Sequence, residues 1–115
     1  VALATPYVAE VTSRLRDFLG EAGVDTVGSA GLGLKSDIWR VPYAVTAKLV
    51  EDVDSGSVQA VFLSCTNLAT YDLIAPLEAA VGKPVLTANQ VTMWAALRLA
   101  GSTAIGPGQR LLSAR

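Results

Sequence analysis

The sequence predicts a single α/β domain, a three-layer sandwich of the Rossmann or flavodoxin type in which helices cover both faces of a four-stranded parallel sheet. Apolar segments of strand length alternate with amphipathic segments of helix length in the order βαβαβαβα, joined by short links. The segment Val58–Leu63 is almost continuously apolar, as is typical of a parallel strand buried on both faces. The length of 115 residues suits one domain with one modest core.

The amino-terminal part predicts a strand, a helix and a second strand. Val1–Ala4 is a short apolar run, and Thr5-Pro6 then supplies a helix N-cap followed by proline at the first helical position. Apolar side chains recur at helical spacing as far as Gly23, which suits a C-terminal cap. Val24–Val27 predicts the second strand. The segment 28–33 predicts a turn-rich loop, because its G-x-x-G-x-G spacing differs from the dinucleotide-binding fingerprint.

The middle of the chain predicts a second helix, a central strand and a third helix. Apolar side chains recur four apart in Val41–Val53, which predicts the second helix. The strand Val58–Leu63 ends at Ser64-Cys65-Thr66-Asn67, and we expect a third helix to follow and to reach Val81. Pro76 should kink or split that helix, because proline removes one hydrogen-bond donor.

The carboxy-terminal part predicts a last strand, a last helix and a tail. Val85–Thr87 is a short strand, and Asn89–Ala100 is a helix that is apolar around most of its circumference and stops at Gly101. The remaining segment is too short for a further strand and helix. Residues 1–101 are therefore expected to form the domain, with 102–115 as a carboxy-terminal tail.

The composition excludes several classes of function. Nine basic against ten acidic residues give a formal net charge of −1 without any basic run, so neither nucleic acid nor an anionic membrane is an expected partner. With no histidine and one cysteine, the chain alone cannot form a Ser-His-Asp triad, a tetrahedral zinc site or an intrachain disulfide. The lone thiol, together with the lack of a secretory signal or an apolar run of membrane length, predicts a soluble, cytoplasmic protein.

Cys65 is the leading candidate for chemistry. In parallel sheets ligands bind beyond the carboxyl ends of the strands, where Thr5-Pro6-Tyr7 and the segments 28–37 and 64–67 are expected to lie. Cys65 stands between the end of a buried strand and an expected helix, and a helix N-terminus favours the thiolate, the reactive form of cysteine. The alternative is a buried structural thiol, because free cysteine behaves as a small hydrophobic side chain.

Three further residues at that edge are candidates for substrate binding. Tyr7, expected in the first turn of the first helix, either donates its hydroxyl to an anionic group or is a half-buried tyrosine with its tip in water. Thr66 and Asn67 either offer backbone donors to a carboxylate or enolate oxygen or cap the helix that is expected to follow. Both interpretations stay open for each residue.

Two tryptophans and one arginine have less specific interpretations. Trp39 and Trp94 suit packing in the core or at a subunit interface better than the wall of a pocket. Arg98 lies in an otherwise apolar helix, where it is either solvated or paired with a carboxylate across an interface.

A resemblance to a known superfamily covers nearly the whole chain. The segment from Ser64 to Gly101, SCTNLATYDLIAPLEAAVGKPVLTANQVTMWAALRLAG, resembles the C-terminal half of the cofactor-independent aspartate/glutamate racemase superfamily. Within the superfamily it is most similar to the branch of maleate cis-trans isomerases and arylmalonate decarboxylases. The opening Ala4-Thr5-Pro6-Tyr7 and the closing GPGQRLL, which begins at Gly106, fit the same half.

The resemblance implies a fold of two similar α/β domains related by a pseudo-twofold axis, each of which presents a cysteine to the substrate between them. This chain resembles the second domain. The first domain and its cysteine are then missing, and the tail 102–115 is expected to pack on that first domain. In the segment 28–37, Asp37 stands near the place where maleate isomerases carry an asparagine.

The same resemblance assigns roles to the candidate residues. Cys65 matches the catalytic cysteine of the second domain, and Tyr7 matches a tyrosine that contacts the substrate carboxylate. Thr66 and Asn67 match positions whose backbone N–H groups help to hold that carboxylate. The chemistry implied for these residues uses neither a metal ion nor an organic cofactor.

The implied function is that of a cofactor-independent isomerase acting on a small dicarboxylate or an amino-acid-like substrate, most like maleate cis-trans isomerase. Aspartate/glutamate or hydantoin racemase and arylmalonate decarboxylase are alternatives within the superfamily. A non-catalytic α/β binding module is the alternative from another class, because half a site holds one cysteine and a charged fraction of only 17% suggests an uncovered apolar face. A homo-oligomer is among the expected assemblies, and the isolated chain is expected to be inactive.

Overall fold

The computed structural model describes residues 1–113 as one four-stranded parallel sheet with flanking helices. The elements in chain order are β1 (Ala2–Tyr7), α1 (Ala9–Glu21), β2 (Gly28–Leu34), α2 (Tyr43–Val53), β3 (Val61–Leu63), α3 (Ile74–Val81), β4 (Val85–Thr87), α4 (Ala88–Leu99) and α5 (Arg110–Ser113). The strands lie in the order β2-β1-β3-β4, which confirms the predicted fold class. Within this described part of the chain, no helix has the length and apolar character needed to cross a membrane.

The core lies between the central strands and α2. In β1 and β3 the side chains of Ala2, Leu3 and Val61 are completely buried. The buried residues of α2 are Thr46, Leu49, Val50 and Val53. Their spacing of three and four residues places them on one face of the helix. Because parallel crossovers are right-handed, α1 covers one face of the sheet, and α2 and α3, which contact each other, cover the opposite face.

The first strand is longer than predicted, because Thr5 and Pro6 belong to β1 and do not begin the helix. The prediction of an N-cap at Thr5 is therefore wrong, since α1 follows Val8, which makes no side-chain cap. The Thr5 hydroxyl instead lies 2.7 Å from Thr12 Oγ1 and accepts a hydrogen bond of 3.2 Å from the Tyr7 N–H. Pro6 is tolerated in the strand because the ladder with β2 shifts register between Thr5 and Tyr7.

The second strand is formed by the glycine-rich segment Gly28–Leu34 and not by Val24–Val27. The predicted strand and the predicted loop are both wrong here. Half-buried and exposed residues alternate along β2, as expected for an edge strand. At Gly31 a side chain has no room, because a Cβ atom would lie 2.6 Å from the carbonyl oxygen of Tyr7. Pairing with β1 therefore overrides the low strand propensity of glycine.

The segment after β3 is a loop, and helical structure begins later than predicted. A short 3-10 turn starts at Tyr71, and α3 starts at Ile74. The predicted kink or break at Pro76 is wrong, because this residue lies in the first turn of α3, where the amide N–H has no acceptor within the helix. The helix ends at Val81 as predicted.

The last strand and helix agree with the prediction. The strand Val85–Thr87 is confirmed, and α4 begins one residue before the predicted start. A capping box fixes this start: Thr87 Oγ1 accepts from the Gln90 N–H at 3.2 Å, and Gln90 Oε1 accepts from the Thr87 N–H at 3.3 Å.

A buried polar network holds the tail against the domain. Glu78 is 2% exposed, and its carboxylate accepts hydrogen bonds from the Val85 N–H (3.2 Å) and the Arg110 N–H (2.9 Å). Next to it, the Gln90 amide donates to Gln109 Oε1 at 2.9 Å. The tail therefore packs on this domain through these residues. Its packing on a further domain, and the domain boundary after residue 101, stay predictions.

We predict that Glu78→Ala destabilises the domain by about 2–4 kcal/mol, because the buried Val85 N–H and the partly buried Arg110 N–H both lose their acceptor. Glu78→Gln keeps one acceptor oxygen and should lose less. Chemical denaturation measures both changes, with Glu51→Ala on the exposed side of α2 as the matched control. Equal midpoints for Glu78→Ala and Glu51→Ala would contradict this role of the network.

Candidate functional site

The candidate site lies at the edge of the sheet where the parallel strands end. β1 ends at Tyr7, and β3 is followed by Ser64-Cys65-Thr66-Asn67. The Tyr7 hydroxyl lies 3.3 Å from Ser64 Oγ, and Ser64 itself is 7% exposed. The predicted meeting of these two segments at one edge is therefore confirmed by the geometry. The expectation that Tyr7 lies in a helix is wrong, because this residue ends a strand.

The environment of Tyr7 keeps its phenol protonated. Partial burial raises the pKa of Tyr7 above its ordinary value, and the neighbouring Cys65 side chain raises it further. The hydrogen bond with Ser64 opposes this change without cancelling it. The hydroxyl of Tyr7 is thus a hydrogen-bond donor at neutral pH, and the thiol of Cys65 lies next to it.

Cys65 adopts an unusual backbone conformation. Its φ angle is +101°, a region that residues with a Cβ atom rarely occupy. The side chain is half-buried and packs against the edge of the hydrophobic core. The expected helix N-terminus is absent from this position, because the first helical turn starts at Tyr71. Any activation of the thiol therefore has to come from the loop and from neighbouring side chains.

The loop after Cys65 exposes backbone donors. Thr66 and Asn67 are exposed, and neither caps a helix, since Thr70 precedes the 3-10 turn and Leu73 precedes α3. Within residues 1–113 their backbone N–H groups donate to no other protein atom. The interpretation of these two residues as helix caps is therefore wrong.

Asn89 at the start of α4 supports this loop. Its side-chain amide donates a hydrogen bond of 3.0 Å to the carbonyl oxygen of Thr66. The sequence predicted Asn89 only as the start of the last helix and as part of the segment that resembles the superfamily, and it did not predict the contact between Ser64 and Tyr7. Both contacts join residues at or within three positions of the carboxyl end of a strand, namely β1, β3 or β4. That position in the sequence is the feature from which they could have been predicted.

A concave apolar cavity with a volume of about 700 Å³, here called the apolar groove, adjoins the loop after Cys65. Its walls come from the loop after β3, from α4, from the residues before and at the start of α2, and from the tail. The lining residues are Trp39, Tyr43, Thr66, Asn67, Leu68, Ala69, Thr70, Tyr71, Ile74, Thr87, Asn89, Gln90, Met93, Leu97, Thr103, Ala104, Ile105, Gln109 and Leu112. Tyr7 and Cys65 are not among them, so the groove lies beside the thiol site.

The two tryptophans do not belong to the core. Trp39 is 59% exposed, and the Arg40 guanidinium stacks 4.9 Å from its ring centre. Arg98 stacks on half-buried Trp94 at the same distance, 4.9 Å, and is itself exposed. Core packing is therefore wrong for Trp39. Within residues 1–113, no group of three or more histidine, cysteine or acidic side chains is placed to hold a metal ion.

Comparison with known proteins identifies the relatives of the chain. A family model described as arylmalonate decarboxylase matches residues 1–112. The arylmalonate decarboxylase of Bordetella bronchiseptica is 36% identical over 110 residues, which are 90% of this chain and 45% of that protein. The maleate isomerase of Alcaligenes faecalis is 30% identical over 105 residues, which are 88% of this chain and 41% of that protein.

The solved structures agree with this relationship. A crystal structure of arylmalonate decarboxylase matches with a TM-score of 0.87 and 32% identity, over 97% of this chain and 52% of that chain. The chain thus spans about half the length of the relatives that it matches.

The strained backbone at Cys65 predicts an unusual order of stabilities. Cys65→Gly should be more stable than Cys65→Ala by about 1 kcal/mol, because glycine adopts positive φ without a Cβ clash. Thermal or urea unfolding of the two variants measures the difference. At a position with ordinary backbone angles, the glycine variant is less stable than the alanine variant. If Cys65→Gly were the less stable of the two, the result would contradict a strained backbone at Cys65.

The environment of Tyr7 predicts that its phenol ionises at a higher pH than a free tyrosine does. The difference in phenolate absorbance between the wild type and Tyr7→Phe should titrate above the ordinary pKa of 10.0 in the folded chain and return towards 10.0 in urea. The stability linked to this raised pKa is present below about pH 10 and is lost as the pH rises through the folded value. Cys65→Ser should reduce the shift. A folded pKa at or below 10.0 would contradict the assignment.

Proposed function

This chain belongs to the arylmalonate decarboxylase family, and on that premise we propose that it is one half of an enzyme that acts on the carbon atom next to a carboxylate in a small carboxylic acid. The observation that carries the proposal is the meeting of Cys65, Tyr7 and Ser64 at the carboxyl edge of the sheet. A reactive thiol beside a protonated phenol can both handle a proton at carbon and stabilise negative charge on oxygen.

Decarboxylation of a substituted malonate is the reaction that the family relationship favours. Loss of carbon dioxide leaves the bonding electron pair on the central carbon, from which it spreads into the remaining carboxylate as an enediolate. The Cys65 thiol then donates its proton to the carbon, and the resulting thiolate regains a proton from water. The reaction requires no metal ion or organic cofactor to supply electrons.

In this proposal the remaining candidate residues stabilise the negative charge of the enediolate and of the substrate carboxylate. The Tyr7 hydroxyl donates to one enediolate oxygen. The N–H groups of Thr66 and Asn67, which donate to no other atom of residues 1–113, donate to the carboxylate. In other enzymes, removal of one hydrogen-bond donor that points at the developing negative charge raises the activation free energy by about 2.7–4 kcal/mol. The hydrogen bond from Asn89 to the Thr66 carbonyl keeps the loop in place for this role.

Isomerisation of maleate to fumarate is the second candidate, favoured by the 30% identity with the maleate isomerase of Alcaligenes faecalis. Here the Cys65 thiolate adds to one carbon of the double bond, the electron pair moves into the carboxylate, and the new single bond rotates. Elimination of the thiolate then gives the trans product. Racemisation of an amino acid or a hydantoin would use the same thiol as an acid or a base.

The complete site is proposed to need a second domain with a cysteine of its own, because Cys65 reaches the carbon from one side only. The length of the relatives agrees with such a domain. A cytoplasmic location, where thiols stay reduced, is part of the same proposal. The 115-residue chain as a monomer should then turn over none of these substrates.

A substrate panel on a full-length protein that contains both halves tests the proposal. Release of carbon dioxide follows the decarboxylation of phenylmalonate, reversed-phase chromatography separates fumarate from maleate, and chiral chromatography follows the racemisation of aspartate, glutamate and hydantoins. Cys65→Ser should abolish turnover with little change in the thermal midpoint. Tyr7→Phe should lower kcat/KM by roughly 10- to 150-fold, the effect of about 1.5–3 kcal/mol from one hydrogen bond to a charged group.

The outcome that would defeat the assignment is also measurable. Full activity of Cys65→Ser would remove the proposed role of the thiol and leave only the family relationship. Ser57→Ala, at an exposed position after α2, is the matched control and should change neither activity nor stability.

A further inference from the structure

Ser64 lies in the candidate site, but the reactions described so far give its side chain no role. Its hydroxyl oxygen lies 3.3 Å from the Tyr7 hydroxyl oxygen, and the residue is buried. Within residues 1–113, Ser64 Oγ has no second hydrogen-bond partner. Buried hydroxyls are normally hydrogen-bonded, so Tyr7 is the group that satisfies this one. We propose that Ser64 is a positioning residue, whose hydroxyl donates to the Tyr7 oxygen and leaves the phenol proton free for an oxygen of the substrate.

The direction of this hydrogen bond decides what Tyr7 can do. The phenol and the serine hydroxyl carry one proton each, and only one of them can donate across the 3.3 Å contact. If Tyr7 donated to Ser64, its single proton would be used inside the protein. If Ser64 donates, the O–H of Tyr7 is free to donate to an enediolate oxygen.

The pKa of Tyr7 agrees with donation by Ser64. Burial raises this pKa, and the hydrogen bond with Ser64 lowers it. A hydroxyl that donates to the phenol oxygen favours the charged phenolate, whereas a hydroxyl that accepts from the phenol favours its neutral form. Donation also polarises the phenol, which makes its own O–H a stronger donor. The contact therefore orients the Tyr7 proton and strengthens the hydrogen bond that Tyr7 can give.

Backbone contacts fix both residues independently of a substrate. The Ser64 N–H donates to the Ala4 carbonyl at 2.9 Å and so continues the ladder between β1 and β3. The Tyr7 N–H donates to Thr5 Oγ1 at 3.2 Å. The carbonyl oxygen of Tyr7 faces Gly31, where a Cβ atom would lie only 2.6 Å away. A pair of hydroxyls held by its backbone in this way needs little rearrangement when negative charge develops beside it.

The direction of the hydrogen bond can be measured without turnover, whereas the role towards a substrate rests on the proposed function. In the folded 115-residue chain, the phenolate absorbance of Tyr7 is the difference between each protein and the same protein with Tyr7→Phe. Ser64→Ala should move this titration to a higher pH than in the wild type, because the phenolate loses a donor. Ser64→Thr keeps a hydroxyl and should restore the wild-type titration.

The sign of the change makes this measurement decisive. Loss of a serine that accepts from Tyr7 would move the titration to a lower pH, because the neutral phenol would lose its acceptor. A titration of Ser64→Ala that is lower than that of the wild type, or equal to it, therefore overturns the proposal.

Thr46→Val is the matched control for the loss of a buried hydroxyl. Thr46 on α2 is completely buried, and within the described residues its hydroxyl has no hydrogen-bond partner. This variant should leave the titration of Tyr7 unchanged. Circular dichroism verifies at each pH that the variants are folded, and if the chain unfolds before Tyr7 ionises, the kinetic comparison below decides.

In a full-length protein that contains both halves, the kinetic effect of Ser64 should pass through Tyr7. Ser64→Ala should lower kcat/KM by about 2- to 12-fold with a similar fall in kcat, because the hydrogen bond from Tyr7 strengthens as charge develops. In the Tyr7→Phe background the same substitution should cause little further loss, because the two residues act as a unit. Ser64→Thr should recover most of the activity.

The kinetic outcomes separate this role from the proposed reaction. Equal kcat/KM for the wild type and Ser64→Ala, or an equal loss in the wild-type and Tyr7→Phe backgrounds, overturns the proposal for Ser64. A full-length wild type that turns over none of the substrates defeats the proposed function, and the titration of Tyr7 then still decides whether Ser64 donates to it.

Discussion

The parallel pairing of β1 with β3 places Ala4 opposite Leu63, and the Ser64 N–H continues the ladder by donating to the Ala4 carbonyl at 2.9 Å. The two segments therefore leave the sheet side by side. Tyr7 and Ser64 come into hydrogen-bond distance for this reason, although 57 positions separate them along the chain. The thiol of Cys65, the loop that follows it and the groove beside that loop all take their positions from this pairing.

Local patterns in the sequence predicted the fold class, β4 and α4 because these features depend on local signals. An apolar strand and a glycine after α4 are visible without knowledge of distant contacts. The capping box at Thr87 and Gln90, which the sequence analysis did not identify, is a local feature of the same kind. The strand at Gly28–Leu34 and the place of Thr5 were not predictable in this way. Pairing with β1 determines both, and glycine and Thr-Pro have the opposite local preference.

The candidate site was predictable in its location and less so in its detail. Because parallel strands end at one edge, Cys65, Thr66 and Asn67 were expected near Tyr7 from topology alone. The contact between Tyr7 and Ser64 and the positive φ of Cys65 depend on tertiary structure. The strained backbone at Cys65 is typical of functional positions, where the surrounding structure maintains a conformation that a local preference would not select.

The network around Glu78 has a consequence for the order in which the chain folds during synthesis. Its carboxylate takes a hydrogen bond from Arg110, which follows it by 32 residues. At about 5–20 residues per second, the ribosome needs roughly 2–6 s to make that segment after Glu78 has been added. Until Arg110 is added, the Glu78 carboxylate lacks one of the two backbone N–H donors that it has in the folded domain. The buried network around Glu78 is therefore completed only after Arg110 has been synthesised, which makes it one of the latest parts of the described fold to form.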